Sequence, residues 1–281
     1  MEIKYGITQW SLPGKGPYAI KYAAEADLDG LQIELGYYDD GGYYMAQKKV
    51  REDYMRDAEK YGIEFPSIVL NDLGNHGFAD PENQKDCKIA LESLDIALDV
   101  AQSMGIDIIM IPQFWKNEIV DEKTLEHSAK ILRTFCQKAG ERGICVDSET
   151  TLNAERQIQL MEAVDMPNFK TLYDSQNYYF FKGYDQKMMI EKLYPYMGTQ
   201  VHVKDCYGHD YDPDGGALSG ALLGQGDSNF MATVEYLKKM NYSGWIISEN
   251  YYYALPMRNL KEDQFELLQE DMRHLREVLE K

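Results

Sequence analysis

One count narrows what this chain can fold into more than any other feature. Short β-rich runs alternate with longer stretches of helical period eight times over. The runs read IKYGIT, GLQIEL, IEFPSIVL, IDIIMI, GICVDSE, FKTLYD, TQVHVK and GWIISEN. Helical stretches lie near 17–28, 46–61, 82–104, 121–142, 153–164, 184–197, 227–240 and 260–280. DPENQK and DEKTLE place acidic residues in a first turn, where the helix dipole favours them. Glycines in YG, MG and RG follow helices and precede strands, as residues past a helix C-terminus do. Eight β/α units are the number that closes a parallel sheet on itself, so the chain is predicted to be an α/β protein, a (β/α)8 barrel. An open doubly wound sheet is the alternative, and no GxGxxG follows the first run to support it. Without a linker, low-complexity segment or shift in composition, residues 1–281 read as a single domain.

Charge removes several function classes. A net charge of −18 opposes binding to nucleic acid, which depends on Lys and Arg neutralising phosphates. Cys87, Cys136, Cys145 and Cys206 show no metal or redox spacing and read as reduced thiols of a cytoplasmic protein. MEIKYGITQW lacks the pattern of a secretory signal, and no apolar run approaches the roughly 20 residues of a membrane span.

The ends of the last four β-rich runs carry chemistry. One ends at Glu149, the next at Asp174, the third contains His202, and WIISE of the fourth ends at Glu249. Strand alternation puts His202 and Lys204 on the face opposite Val201 and Val203. Barrels of this kind use the C-terminal ends of their strands for catalysis, and neighbouring strands lie about 4.8 Å apart. Four consecutive strand ends can therefore converge. Three carboxylates and an imidazole suit an octahedral divalent cation such as Mn²⁺, Mg²⁺ or Co²⁺, with Zn²⁺ a further candidate. With no cation, carboxylates this close would repel and raise each other's pKa. A lone strand-end Glu is commonly a solvated rim residue, but an ordered set of four is not.

ICVDSE, TLYDSQN, VHVKD, LLGQGDSNF and GWIISEN resemble the metal-binding strands of the sugar isomerase/epimerase superfamily, the xylose-isomerase-like barrels. The likeness extends over nearly the whole chain and is strongest from residue 143 to 250. It implies that Glu149, Asp174, His202 and Glu249 hold a divalent metal, foremost Mn²⁺. It further implies an isomerase or epimerase of a monosaccharide, ketose or polyol, with Glu149 and Glu249 as paired acid and base around an enediolate. In the ketose 3-epimerase branch a second Glu follows the first ligand by six residues and binds substrate; Glu155 stands there. Two departures are visible. DSQN puts Asn177 where the family often has a His, and Asn can hydrogen-bond a hydroxyl but not carry a proton. The loop DCYGHDYDPDGG contains His209 but lacks the Arg that ketose epimerases place there, which argues against a phosphate held by that Arg.

Other residues have a functional and a plain reading. Aromatics in NYYFFKGY and ENYYYALP could stack on a sugar, or pack internally and at a homo-oligomer interface. Trp10 is a pocket wall or barrel filling, and His76 a substrate contact or a surface histidine. Lys204 is a partner for an anionic oxygen or for a barrel acid such as Asp147. The GQG of LLGQGDSNF is a weak phosphate signal, and Asp227 reads as the cap of the helix after it. The alternative activity is a lyase of the same superfamily, a dehydratase of an inosose-like or dehydroshikimate-like substrate. A nuclease on the same barrel would need several extra histidines, whereas this acidic chain has five in all, with His127 and His274 on helical segments. A non-catalytic binding barrel is disfavoured because all four ligand-type residues remain.

Overall fold

A computed structural model describes residues 2–208, 220–253 and 263–280. Strands β1 (Ile3–Thr8), β2 (Gly30–Glu34), β3 (Ile68–Val69), β4 (Ile108–Gln113), β5 (Cys145–Thr150), β6 (Phe169–Asp174), β7 (Met197–Val203) and β10 (Gly244–Ser248) close into a barrel. The neighbours run β1-β10-β7-β6-β5-β4-β3-β2, and every pairing in the ring is parallel. Between β7 and β10, β8 (Asp205–Cys206) and β9 (Gly220–Ala221) make a small antiparallel pair outside the barrel.

Helices α1 (Tyr18–Glu25), α2 (Lys48–Tyr61), α3 (Gln84–Met104), α4 (Glu122–Gly140), α5 (Ala154–Val164), α6 (Asn177–Lys182), α7 (Gln186–Leu193), α8 (Phe230–Lys239) and α9 (Gln264–Glu280) follow the strands. Local chemistry sets several ends. Asp121 and Thr124 form a reciprocal capping box that starts α4. Gly105 ends α3 in the left-handed conformation, at φ 69°.

The large apolar core lies between sheet and helices. There Leu31, Ile33, Val146, Val201 and Ile246 meet Ile20, Leu94 and Leu132. A second, small cluster of Val69, Met110 and Leu172, with Trp10 against it, stands apart. The other buried residues on the alternate strand positions include the polar Gln32, Asp147, Gln200 and His202 beside the apolar Ile108 and Ile247. The barrel interior is therefore a mixture of polar and apolar side chains.

Some expected boundaries move. IEFPSIVL supplies only the two-residue β3, since Pro66 has no N–H for a ladder; Glu64 makes an isolated bridge to Gly30. The expected 184–197 helix shortens to α7, because Pro195 sits in the 3₁₀ turn Tyr194–Tyr196. NYYFFK, which lies outside the expected helical stretches, is the extra helix α6. Asp227 does not cap α8. That place is taken by Asn229 without a side-chain bond, while Asp227 Oδ2 accepts from the Gly208 amide over 2.9 Å. Among the described residues no helix is long and apolar enough to cross a membrane, and the four cysteines are free.

Candidate metal centre

Parallel register carries four polar residues to one end of the barrel. Asp174, the last residue of β6, lies opposite His202 of β7, and His202 lies opposite Ile247 of β10. Glu149 is in β5, and Glu249 directly follows β10, its amide bonded to the Val203 carbonyl. One ligand-type atom from each of Glu149, Asp174, His202 and Glu249 falls within 4.8 Å of all the others, and all four residues are buried. The Nδ1 atom of His202 stands 3.4 Å from Glu149 Oε1 and 3.2 Å from Glu249 Oε2.

Neighbouring donors hold these carboxylates in place. Asn177 Nδ2 donates to Glu149 Oε1 over 2.9 Å. Trp10 Nε1 donates to Glu249 Oε1 over 3.0 Å. The backbone amides of Gln176 and Asn177 donate to Asp174 Oδ1 at 2.7 and 2.6 Å. Lys204 Nζ pairs with Glu249 Oε2 in a short contact and lies 3.4 Å from Asp174 Oδ2. The expected partner Asp147 is therefore not the one Lys204 finds.

Two atoms of the four-residue cluster have no hydrogen-bond partner, His202 Nδ1 and Asp174 Oδ2. Such atoms are rare in buried sites, and both are of metal-ligating type. The electrostatics agree. Burial works to lower the His202 pKa, yet the Glu249 and Glu149 carboxylates push it up to about 10. Burial pushes Asp174 up to about 6 against the pull of Lys204. Burial would also raise Glu249, but Lys204 and His202 hold it well below the usual carboxylate range. Burial acts to depress Lys204, and Asp174 and Glu249 hold it well above its ordinary value. The cluster thus draws positive charge from every available source, and a divalent cation fits it.

The cluster floors a cavity of about 310 Å³. Trp10, Asn177, Lys204, Glu149 and Glu249 line it, joined by Tyr37, Asn71, Met110, Phe114, Trp115, Phe181 and Tyr251. The structure thus brings Trp10, Asn177 and Lys204 to the four residues named from the sequence as candidate ligands, but not two others. Glu155 sits at the start of α5 with its side chain 65% exposed, paired with Lys192. His76 is clamped between Asp86 at 3.0 Å and Asp39 at 3.1 Å, behind the cavity-lining Gly74 and Asn75. The aromatic runs divide: Phe181 and Tyr251 face the cavity, whereas Tyr178, Phe180 and Tyr252 are core. His209 and the end of ENYYYALP fall outside the described residues. Tyr37, Asn71 and Gln32 were not anticipated. For Gln32 a signal existed, a polar residue in phase with the inward positions of the apolar run GLQIEL.

Known proteins resemble this chain in sequence and in fold. A 2-epi-5-epi-valiolone 7-phosphate 2-epimerase of an Actinoplanes species is 28% identical over 239 residues, covering 85% of this chain and 83% of that protein. The crystal structure of a xylose isomerase domain protein from Planctomyces limnophilus superposes with a TM-score of 0.76 at 16% identity, covering 98% of this chain and 95% of the other. D-psicose 3-epimerase from Clostridium cellulolyticum, solved with D-tagatose, gives 0.75 at 17% identity, covering 98% and 99%. The family model described as xylose isomerase-like TIM barrel matches residues 20–278, and the chain belongs to that family.

Proposed function

We propose that this protein is a divalent-metal-dependent epimerase or isomerase of a monosaccharide, ketose or cyclic polyol, with Mn²⁺ as its ion. The observation that carries the reading is the convergence of Glu149, Asp174, His202 and Glu249 on one point beneath an aromatic-lined cavity. A bound cation would supply Lewis-acid polarisation of a substrate carbonyl.

The chain's own residues supply the rest. Glu149 on β5 and Glu249 after β10 flank β6 and β7 in the ring and both approach His202 Nδ1, so a substrate above the cluster meets two carboxylates from separate strands. One carboxylate removes the proton next to the carbonyl and the other returns it, a general acid–base pair. The Lys204 ammonium lies within the same cavity and balances negative charge building on the substrate oxygens. Asn177 orients Glu149, Trp10 orients Glu249, and the rings of Phe114, Phe181 and Tyr251 keep water off the reacting carbon.

An unphosphorylated substrate is the better match. The Actinoplanes relative is named for a 7-phosphate. Among the described lining residues here, Lys204 is the single Lys or Arg, and two carboxylates engage it. The GQG turn is also occupied. The Gly224 and Gly226 amides both donate to Asp205 Oδ2 over 2.9 Å, so the anion they cradle is the protein's own.

The test is solvent exchange. Metal-loaded protein in D₂O, offered ketoses, inososes and their phosphates, should label the carbon next to the carbonyl of an unphosphorylated compound. Glu149→Gln should slow labelling by about 10²–10⁴-fold. Loss of water from the labelled compound would favour the lyase activity. Labelling confined to phosphates would overturn the substrate class, and labelling at an unchanged rate in Glu149→Gln would overturn the site.

A further inference from the structure

Beneath the cluster, a line of buried polar side chains crosses the barrel interior. His202 Nε2 meets Gln32 Oε1 at 2.9 Å. Gln32 Nε2 donates to Ser67 Oγ over 2.9 Å, and the Ser67 hydroxyl donates to Gln200 Oε1 over 2.8 Å. Gln200 Nε2 donates to Asp147 Oδ2 over 2.8 Å. The residues come from β2, the lead-in to β3, β5 and β7, and each is at most 1% exposed.

The direction of this line is decided at its far end. A carboxylate only accepts, so the Gln200 amide must turn its NH₂ to Asp147 and its oxygen upward. That oxygen accepts the hydrogen bond of the Ser67 hydroxyl, which leaves the Ser67 oxygen to accept from Gln32. The Gln32 NH₂ is thereby committed downward, and its carbonyl oxygen faces His202. An oxygen in that position accepts only, so His202 must carry a proton on Nε2. Nδ1 is therefore the nitrogen left free to ligate, and it faces Glu149 and Glu249 without a hydrogen-bond partner.

We propose that Gln32 is a positioning residue for His202, and that the one-way relay Asp147–Gln200–Ser67–Gln32 holds the imidazole in the tautomer that ligates metal through Nδ1. This rests on the metal reading of the cluster. It adds why the ring presents that nitrogen, and it gives a function to four buried polar residues that no substrate reaches. A metal-bound His commonly donates its other N–H to a fixed acceptor, and losing that acceptor typically costs about 10–100-fold in metal affinity.

Two measurements test it on the full-length chain. In ¹⁵N-labelled protein loaded with Mg²⁺, long-range ¹H–¹⁵N correlation should show His202, assigned by the signal lost in His202→Asn, protonated on Nε2 and not on Nδ1. Calorimetric titration with Mn²⁺ should find Gln32→Met about 10–100-fold weaker than wild type. Gln32→Glu keeps an acceptor for Nε2–H and should recover most of that loss, whereas a purely structural role would leave both variants equally weak. A proton on Nδ1 of loaded His202, or wild-type affinity in Gln32→Met, would overturn the relay while leaving the metal site intact. If Gln32→Met does not fold, the wild-type spectrum decides. Wild-type protein that binds no divalent ion would overturn the metal reading and the relay with it.

Discussion

The Trp10 indole donates to Glu249 Oε1 over 3.0 Å, which ties the residue two positions past β1 to the residue directly past β10. These strands are neighbours in the ring although 239 residues separate the two side chains, so the bond spans the seam that closes the barrel. One Glu249 oxygen thus faces Trp10 and, at 3.5 Å, the Tyr251 hydroxyl, and the other faces Lys204 and the open cluster. Trp10→Phe keeps the apolar wall and deletes the donor. A hydrogen bond to a charged group contributes about 1.5 kcal/mol at the low end, so kcat/KM should fall about tenfold while the fold persists. Steady-state kinetics with the substrate found by exchange, beside a thermal melt, would check this; unchanged kinetics would show that the bond does not orient Glu249.

Metal affinity should depend on pH, with a sign set by two groups. Without metal, His202 is pushed up to about 10, so at neutral pH an incoming cation must displace its proton. Each unit of falling pH then weakens binding by up to about tenfold. Asp174 is pushed up to about 6, so below that pH a second proton competes and the decline steepens. Titration at several pH values, in two buffers of different ionisation enthalpy, reads both slope and released protons. Flat affinity between about pH 8 and pH 4.5 would contradict this ligand set.

Gly77 marks a place where two backbones nearly touch. A Cβ there would lie 2.2 Å from the Lys116 carbonyl oxygen and 2.7 Å from Asn117 Cα. Neither can yield as a side chain could, and the loops involved carry Asn75 and Trp115 of the cavity wall. Gly77→Ala should destabilise the fold by about 1–3 kcal/mol. At about 2–4 °C per kcal/mol for a chain of this size class, the melting temperature should drop by several degrees. A melt within one degree of wild type would show that the loops separate without cost.

Glu155→Ala separates what family resemblance implies from what this structure places. The resemblance makes Glu155 a substrate contact, yet here the side chain is on the outer surface against Lys192. Exposed pairs of this kind contribute little, so kcat/KM should stay within about twofold of wild type. A large rise in KM would mean that α5 turns this residue inward when substrate binds.

The sequence by itself determined the architecture and which four residues gather at one end of the barrel. β/α alternation is a local pattern, and eight repeats leave few ways to bury the apolar face of each unit except a closed barrel. Glu149, Asp174, His202 and Glu249 were legible for the same reason, since each ends or nearly ends its own strand. Parallel register then brings strand ends together without further information. Tertiary structure decided what each side chain meets once there. Lys204 could pair with any inward acid, and only the stagger between neighbouring strands sets it beside Glu249 and Asp174 rather than Asp147. Glu155 keeps the family spacing, but α5 starts on a face that turns its side chain to solvent. The line from Asp147 to His202 could not be read along the chain at all. Its members come from residues 32 to 202, and their contact depends on inward phase in strands that become neighbours or opposites only after the ring closes. Hydrogen-bond direction is a property of such a closed set, because each amide's orientation follows from what its far partner is able to accept.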